Sequence, residues 1–260
     1  MKRLIKLFAA AALFGGLLTA QASAETIKFS VSAEPYPPFA SKTASGKWEG
    51  FEVDLIHAIC DRLKPSKCQV KETAWDGIIP ALTSKKIDVI FASMSITDER
   101  MKTIAFSIPY YNTPAAIAAR KDSKIDTSAD SVKGKVIGVQ TATIHENYAK
   151  TYFGSIATIK IYNTQDEANA DLAAGRIDAT IADSAALDPF IAENKNVELK
   201  GFYPKSDPIF GYGVGAGLRK EDTKLKARID DAIRAIYKDG TYATLEKKYF
   251  KYDVGTPPKS

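Results

Sequence analysis

The chain has 260 residues, with 36 Lys and Arg against 31 Asp and Glu for a formal charge of +5, and 45% of its residues are hydrophobic. That length buries the core of one large domain or two lobes, and the near balance of charge excludes the basic stripe of a nucleic-acid binder. Its two histidines stand far apart and, with only two cysteines, offer no metal-ligand cluster.

Residues 1–24 read as a cleavable signal peptide. Met1-Lys2-Arg3 and Lys6 are basic, Leu7 to Leu18 is apolar but for two glycines, and Ala22-Ser23-Ala24 offers small residues for a peptidase. The apolar run is about a dozen residues, short of the roughly 20 that span a bilayer. The segment holds three of the 36 basic residues and no acid, so the exported part keeps 33 basic residues against 31 acids. Both cysteines lie in that part, at Cys60 and Cys68. Oxidising export and the Pro-Ser turn between them favour a disulfide over two free thiols.

Alternation predicts a first strand over Ile27–Ser32. Glu34-Pro-Tyr36-Pro-Pro-Phe39 is a loop, because three prolines remove donors and block a helix. A helical period covers Phe51–Ile59, a strand Cys68–Glu72, a helix Trp75–Thr83 and a strand Asp88–Ala92. Thr97 is an N-cap followed by acids, and Thr143 with Glu146 has capping-box spacing after a strand at Val136–Val139. Strand Ile159–Ile161, helix Gln165–Ala174 and strand Ala179–Ala182 follow, and Leu225–Tyr237 and Tyr242–Tyr249 are the last helices. The Asp, Leu and Ile-Asp of Asp76, Leu82 and Ile87-Asp88 return at the same spacing in Asp166, Leu172 and Ile177-Asp178, the mark of two similar halves. Strands alternating with helices predict mainly parallel sheets flanked on both faces. Ligands in such sheets sit beyond the carboxyl ends of the strands, where the loops 34–39, 93–100, 140–143 and 183–185 gather. No Gly-x-Gly-x-x-Gly follows a strand and no Walker sequence occurs. Gly211-Tyr-Gly-Val-Gly-Ala-Gly217 reads as an extended crossing segment, and no cofactor is expected.

These loops carry a resemblance. Glu34-Pro-Tyr-Pro-Pro-Phe39, Gly50-Phe-Glu-Val-Asp-Leu55, Ser93-Met-Ser-Ile-Thr-Asp-Glu-Arg100, Gly175-Arg-Ile-Asp178, Leu218-Arg-Lys-Glu-Asp222 and Asp239-Gly-Thr-Tyr242 resemble the polar amino acid-binding proteins of ABC importers, of the histidine, lysine/arginine/ornithine and opine type. The resemblance covers nearly the whole exported chain in one order. It implies a two-lobed α/β periplasmic binding protein fold of type II, with two crossing strands near Tyr111–Thr113 and Gly211–Gly213. Residues 25–111 and 214–260 would form one lobe and 112–213 the other. A monomer with a permease partner in the inner membrane is expected.

By the same resemblance Arg100 is the carboxylate-binding residue and Asp183 the ammonium-binding one, Tyr36 and Trp75 sandwich the ligand side chain, and Ser93 offers a further acceptor. Met94 and Thr141 fall in the same ligand set. A planar guanidinium grips a carboxylate with two parallel bonds, helix starts at Ser95 and Thr143 leave N–H groups free for the same anion, and two aromatic faces suit a cation. Read from the residues alone, Arg100 pairs equally well with Asp98 or Glu99, and Asp183 caps the next helix. Glu34 could neutralise a cationic ligand end, although the related acid usually stands where Ala33 is found. Ala142 stands where the family often has glycine, and Ala92 where it often has serine. The expected function is capture of arginine, ornithine, lysine, histidine or an opine-like derivative without chemistry. An enzyme on the same fold, such as a cyclohexadienyl dehydratase-like protein using His145 or Glu34 in acid–base work, and a sensor input module are the alternatives.

Overall fold

The computed structural model describes residues 25–258; the signal-peptide reading falls on residues 1–24, outside them. Two five-stranded sheets carry the architecture. The first is built on β1 (Thr26–Ser32), whose Ile27, Phe29 and Val31 are buried on one face. β1 pairs in parallel with β4 (Lys67–Thr73) on one side and with the short β5 (Val89–Ile90) on the other. β12 (Gly217–Leu218) joins β5 antiparallel and is itself paired antiparallel with β6 (Ala105–Phe106). The hairpin β2 (Ser41–Lys42) and β3 (Trp48–Glu49) stands apart.

The second sheet has the order β11 (Val197–Phe202), β7 (Ala115–Arg120), β10 (Ala179–Asp183), β8 (Val136–Gln140), β9 (Thr158–Tyr162). β8, β9 and β10 run parallel, while β7 is antiparallel to both of its neighbours. Each sheet is thus mainly parallel with one reversed strand, β12 in the first and β7 in the second. Those two strands are the ones by which the chain enters from the other sheet, β7 after β6 and β12 after β11. A strand arriving from a neighbouring lobe has no crossover helix to turn it, so it runs against the rest. The two crossing segments pair with each other: the Val214 N–H donates to the Tyr111 carbonyl at 2.8 Å, and the Tyr110 N–H to the Val214 carbonyl at 3.0 Å.

Helices cover both faces. α1 (Phe51–Arg62), α8 (Thr223–Lys238) and α9 (Thr241–Tyr249) pack on one side of the first sheet. Ile229, Ala232, Ile233 and Ile236 of α8 repeat at three- and four-residue steps and are buried. α2 (Ile78–Thr83), preceded by a 3-10 turn at Trp75–Gly77, covers the opposite side with Ile78 and Leu82. In the second sheet α5 (Ile144–Phe153) packs on Ile117, Val139 and Ile181, and α6 (Gln165–Ala173) and α7 (Ser184–Glu193) cover the other face with Leu172 and Leu187. Cys60 and Cys68 form a disulfide with their Cα atoms 6.0 Å apart, tying α1 to β4.

The internal echo has a structural cause. Asp88 accepts the Lys28 N–H of β1 at 3.0 Å and Asp178 accepts the Val136 N–H of β8 at 2.8 Å, so each carboxylate ties down one of the parallel strands of its own half. Leu82 and Leu172 are both fully buried.

Candidate functional site

One cavity lies where the carboxyl ends of the two sheets face each other. It is lined by the loop after β1, the turn after β5, the loop from β8 into α5, and the last residue of β10. The chain leaves β5 through Ser93, whose φ of 53° is unusual for a residue with a side chain. Glu52 of α1 holds that turn. Its carboxylate accepts the Ser93 N–H at 2.8 and 2.9 Å and the Ser93 hydroxyl at 3.0 Å. It also accepts the hydroxyls of Tyr110 and Tyr111 at 2.8 and 3.2 Å. Glu52 is completely buried, and burial pushes its carboxyl above the usual carboxylate range.

The turn then starts α3 (Asp98–Met101), where the Thr97 hydroxyl accepts the Arg100 N–H at 3.2 Å. That cap aims Arg100 back into the cavity. Its guanidinium donates to the Ser95 carbonyl at 2.9 Å and to the Ala142 carbonyl at 3.1 Å, and lies 5.4 Å from the centre of the Trp75 ring. Among the described residues it forms no ion pair with Asp98 or Glu99. Burial pushes its pKa down to about 10 against the opposing pull of Glu99 and Asp183, so it stays charged at neutral pH.

Asp183 ends β10 at the N-cap position of α7, yet its side chain makes no capping bond. Its carboxylate accepts the Thr113 hydroxyl at 2.7 Å on Oδ1 and the Tyr36 hydroxyl at 2.8 Å on Oδ2. Burial and the adjacent Asp183 raise the Tyr36 phenol far above its ordinary range, which keeps it a donor. His145, the second residue of α5, is only 4% exposed; its Nε2 has no hydrogen-bond partner and lies 4.0 Å from Asp183 Oδ1. Burial lowers its pKa, so the ring is neutral at pH 7.

Of the residues singled out in the sequence, Glu34, Tyr36, Trp75 and Ser93 line this cavity, as do Ser95, Arg100, Thr143 and Asp183. Two do not. Met94 is buried in the apolar cluster with Ala92, Ile96 and Phe106. Thr141 contributes its backbone elsewhere, accepting the Trp75 indole N–H at 3.0 Å and donating to the Tyr162 carbonyl at 2.8 Å. Glu34 is engaged on one oxygen, which accepts the Ser32 hydroxyl at 2.5 Å and the Trp75 N–H at 3.0 Å. Ala142 has φ 56°, the conformation for which glycine is the usual choice. The Thr143 hydroxyl caps α5 by accepting the Glu146 N–H, while Glu146 returns to the Ala142 N–H instead of closing a box on Thr143. Glu52, Gln140 and Ile144 also line the cavity; the first two stand in the Gly50–Leu55 stretch and the 140–143 loop, but the sequence does not single any of the three out as a site residue.

Across the cavity, hydrogen bonds from Tyr36 to Asp183, from Trp75 to Thr141 and from Arg100 to Ala142 join the halves. The site thus sets a guanidinium that forms no ion pair among the described residues against a carboxylate, across an aromatic-walled gap. Among the described residues no hydroxyl is hydrogen-bonded to His145, and no cluster of His, Cys, Asp and Glu could hold a metal ion.

The model of bacterial extracellular solute-binding proteins, family 3, matches residues 28–252. This chain belongs to that family. The L-arginine-binding protein of Pseudomonas aeruginosa is 39% identical to it over 84% of this chain and 86% of its own. The lysine/arginine/ornithine-binding periplasmic protein of Escherichia coli K12 is 39% identical over 94% and 96%. Among solved structures, an ancestral arginine-binding protein bound to arginine superposes with a TM-score of 0.79 at 35% identity, covering 86% of this chain and 98% of the other. The family fold, two α/β lobes of the type II periplasmic binding proteins, is the one described above.

Proposed function

We propose that this family member is a periplasmic solute-binding protein that captures a polar, cationic amino acid between its lobes and delivers it to an ABC permease in the inner membrane. One observation carries the reading: Arg100 from the half containing the first sheet and Asp183 from the second sheet line the same cavity. In this reading Arg100 takes the ligand carboxylate with two parallel bonds. The Ser95 and Thr143 N–H groups, which form no backbone bonds of their own, add donors to the same anion. Asp183 takes the α-ammonium with the acceptor capacity left after Thr113 and Tyr36. Trp75 and Tyr36 flank the side chain, and the remaining oxygen of Glu34 faces its cationic end.

The lobes in this reading are residues 25–111 with 214–260, and residues 112–213. Ligand contacting both lobes favours the closed arrangement because the open one satisfies only half of the contacts. A micromolar dissociation constant corresponds to about −8 kcal/mol, within reach of one bidentate carboxylate pair, one ammonium pair and two aromatic faces. The relatives above are named for binding, and we assign no chemistry to the site. A thermal-shift screen of residues 25–260 against amino acids, polyamines, opines, sugars and metal salts tests the reading. Stabilisation by arginine, ornithine, lysine, histidine or an opine supports it, and stabilisation by sugars or metals alone contradicts it. Mass spectrometry after long incubation should recover the ligand unchanged.

A further inference from the structure

We infer that His145 is a direct ligand residue whose neutral Nε2 accepts one N–H of the ligand's α-ammonium while Asp183 Oδ1 accepts another. The inference rests on the amino-acid-binding reading above and adds a contact to it. A buried polar atom without a partner costs stability, and native proteins keep few of them. His145 Nε2 is such an atom, in a residue 96% removed from solvent and lining the cavity. Its distance to Asp183 Oδ1, 4.0 Å, is too long for a direct bond. A nitrogen placed about 2.8 Å from both atoms subtends about 90° between them, which a tetrahedral ammonium meets with modestly bent bonds. Oδ1 has room for it, since Thr113 uses only one of its two acceptor positions.

Charge decides which end of the zwitterion sits there. A ligand carboxylate in that gap would face Asp183, whereas an ammonium is attracted by it. The groups facing His145 across the cavity are Asp183 at the end of β10, Arg100 from α3, Tyr36 and Glu34 from the loop after β1, and Glu52 from α1. Glu146, on its own helix, is turned to the Ala142 N–H and the Lys150 ammonium. Arg100 supplies the carboxylate site, which leaves the His145–Asp183 gap for the other end. Protonating His145 would remove the acceptor and set a second cation beside the ammonium. Affinity should therefore fall as pH drops through the range in which the imidazole titrates, and ligand binding should expel a proton from it.

Titration calorimetry of residues 25–260 with L-arginine between about pH 8 and about pH 5 tests this. The wild-type protein should lose about tenfold in affinity over that range and should release protons on binding towards its acid end, read from buffers of different ionisation heat. Because Asp183, Glu34 and Glu52 also face the cavity, the comparison is with His145→Gln, a neutral acceptor of similar reach. That variant should bind more weakly at about pH 8 by less than tenfold and lose most of the pH slope and the proton release, while His145→Ala should bind about tenfold more weakly. A pH-independent wild type, or the same slope in His145→Gln, overturns the inference and leaves the transport reading intact. Failure of the wild type to bind L-arginine, L-ornithine, L-lysine, L-histidine or an opine at any pH overturns both.

Discussion

Glu52 shows how a single side chain sets the geometry of the cavity without being legible as a site residue. The hydrogen bonds to its carboxylate come from Ser93, Tyr110 and Tyr111, residues about 40 to 60 positions away, and among the described residues no cation pairs with it. Within the sequence it is only a polar residue in the first turn of a helix, where an acid is ordinary. Replacing Glu52 by Ala would strand those donors in the interior, and we expect a loss of about 3–5 kcal/mol in urea unfolding. Glu52→Gln, which keeps one acceptor, should lose about half as much; an alanine variant as stable as the wild type would show that the network carries no weight. The other residue readings divide by the same logic. Arg100 and Asp183 were legible from strand-end position and family resemblance, and the structure aims both at one space. Met94 and Thr141 enter the expected ligand set only through the resemblance, and the structure buries the Met94 side chain in the core instead. His145 could be seen to stand near the loops, but not that its Nε2 has no partner, because that depends on packing from the other half.

At the scale of elements, caps and periods transferred well and pairing did not. Thr97 and Thr143 cap their helices as their spacing implied. The strand read over Asp88–Ala92 pairs only at Val89–Ile90, because Ser93 turns the chain away from the sheet. The reversal of β7 and β12 had no signature in local composition, since it follows from the path between lobes. Gly211 is the element-scale test of that path. It has φ 71°, and a Cβ there would stand 2.0 Å from the Ile96 carbonyl oxygen, so Gly211→Ala should destabilise the protein by about 3 kcal/mol or more. A variant that unfolds with the wild-type midpoint would mean that the crossing segment accommodates a side chain. The Cys60–Cys68 link closes a short loop worth about 2–3 kcal/mol. Reduction should lower the melting temperature by about 5–10 °C, measured by circular dichroism with and without reductant, while an unchanged melting curve would contradict a stabilising role.

For the whole molecule, the chain's two passages between sheets are what make a binding device. In the proposed function each half carries half of a zwitterion's complement, and the crossing segments, paired at Tyr111 and Val214, are the hinge about which the halves would rotate. Export, lobe closure and permease docking follow from that design in the proposed function. The most direct test is the affinity for L-arginine of the wild type, Arg100→Ala and Asp183→Ala, measured side by side with unfolding controls. Micromolar binding by the wild type, with a loss of about 100-fold or more in each folded variant, is the expected result. Wild-type affinity in either variant would contradict the claim that the two halves grasp opposite ends of one amino acid.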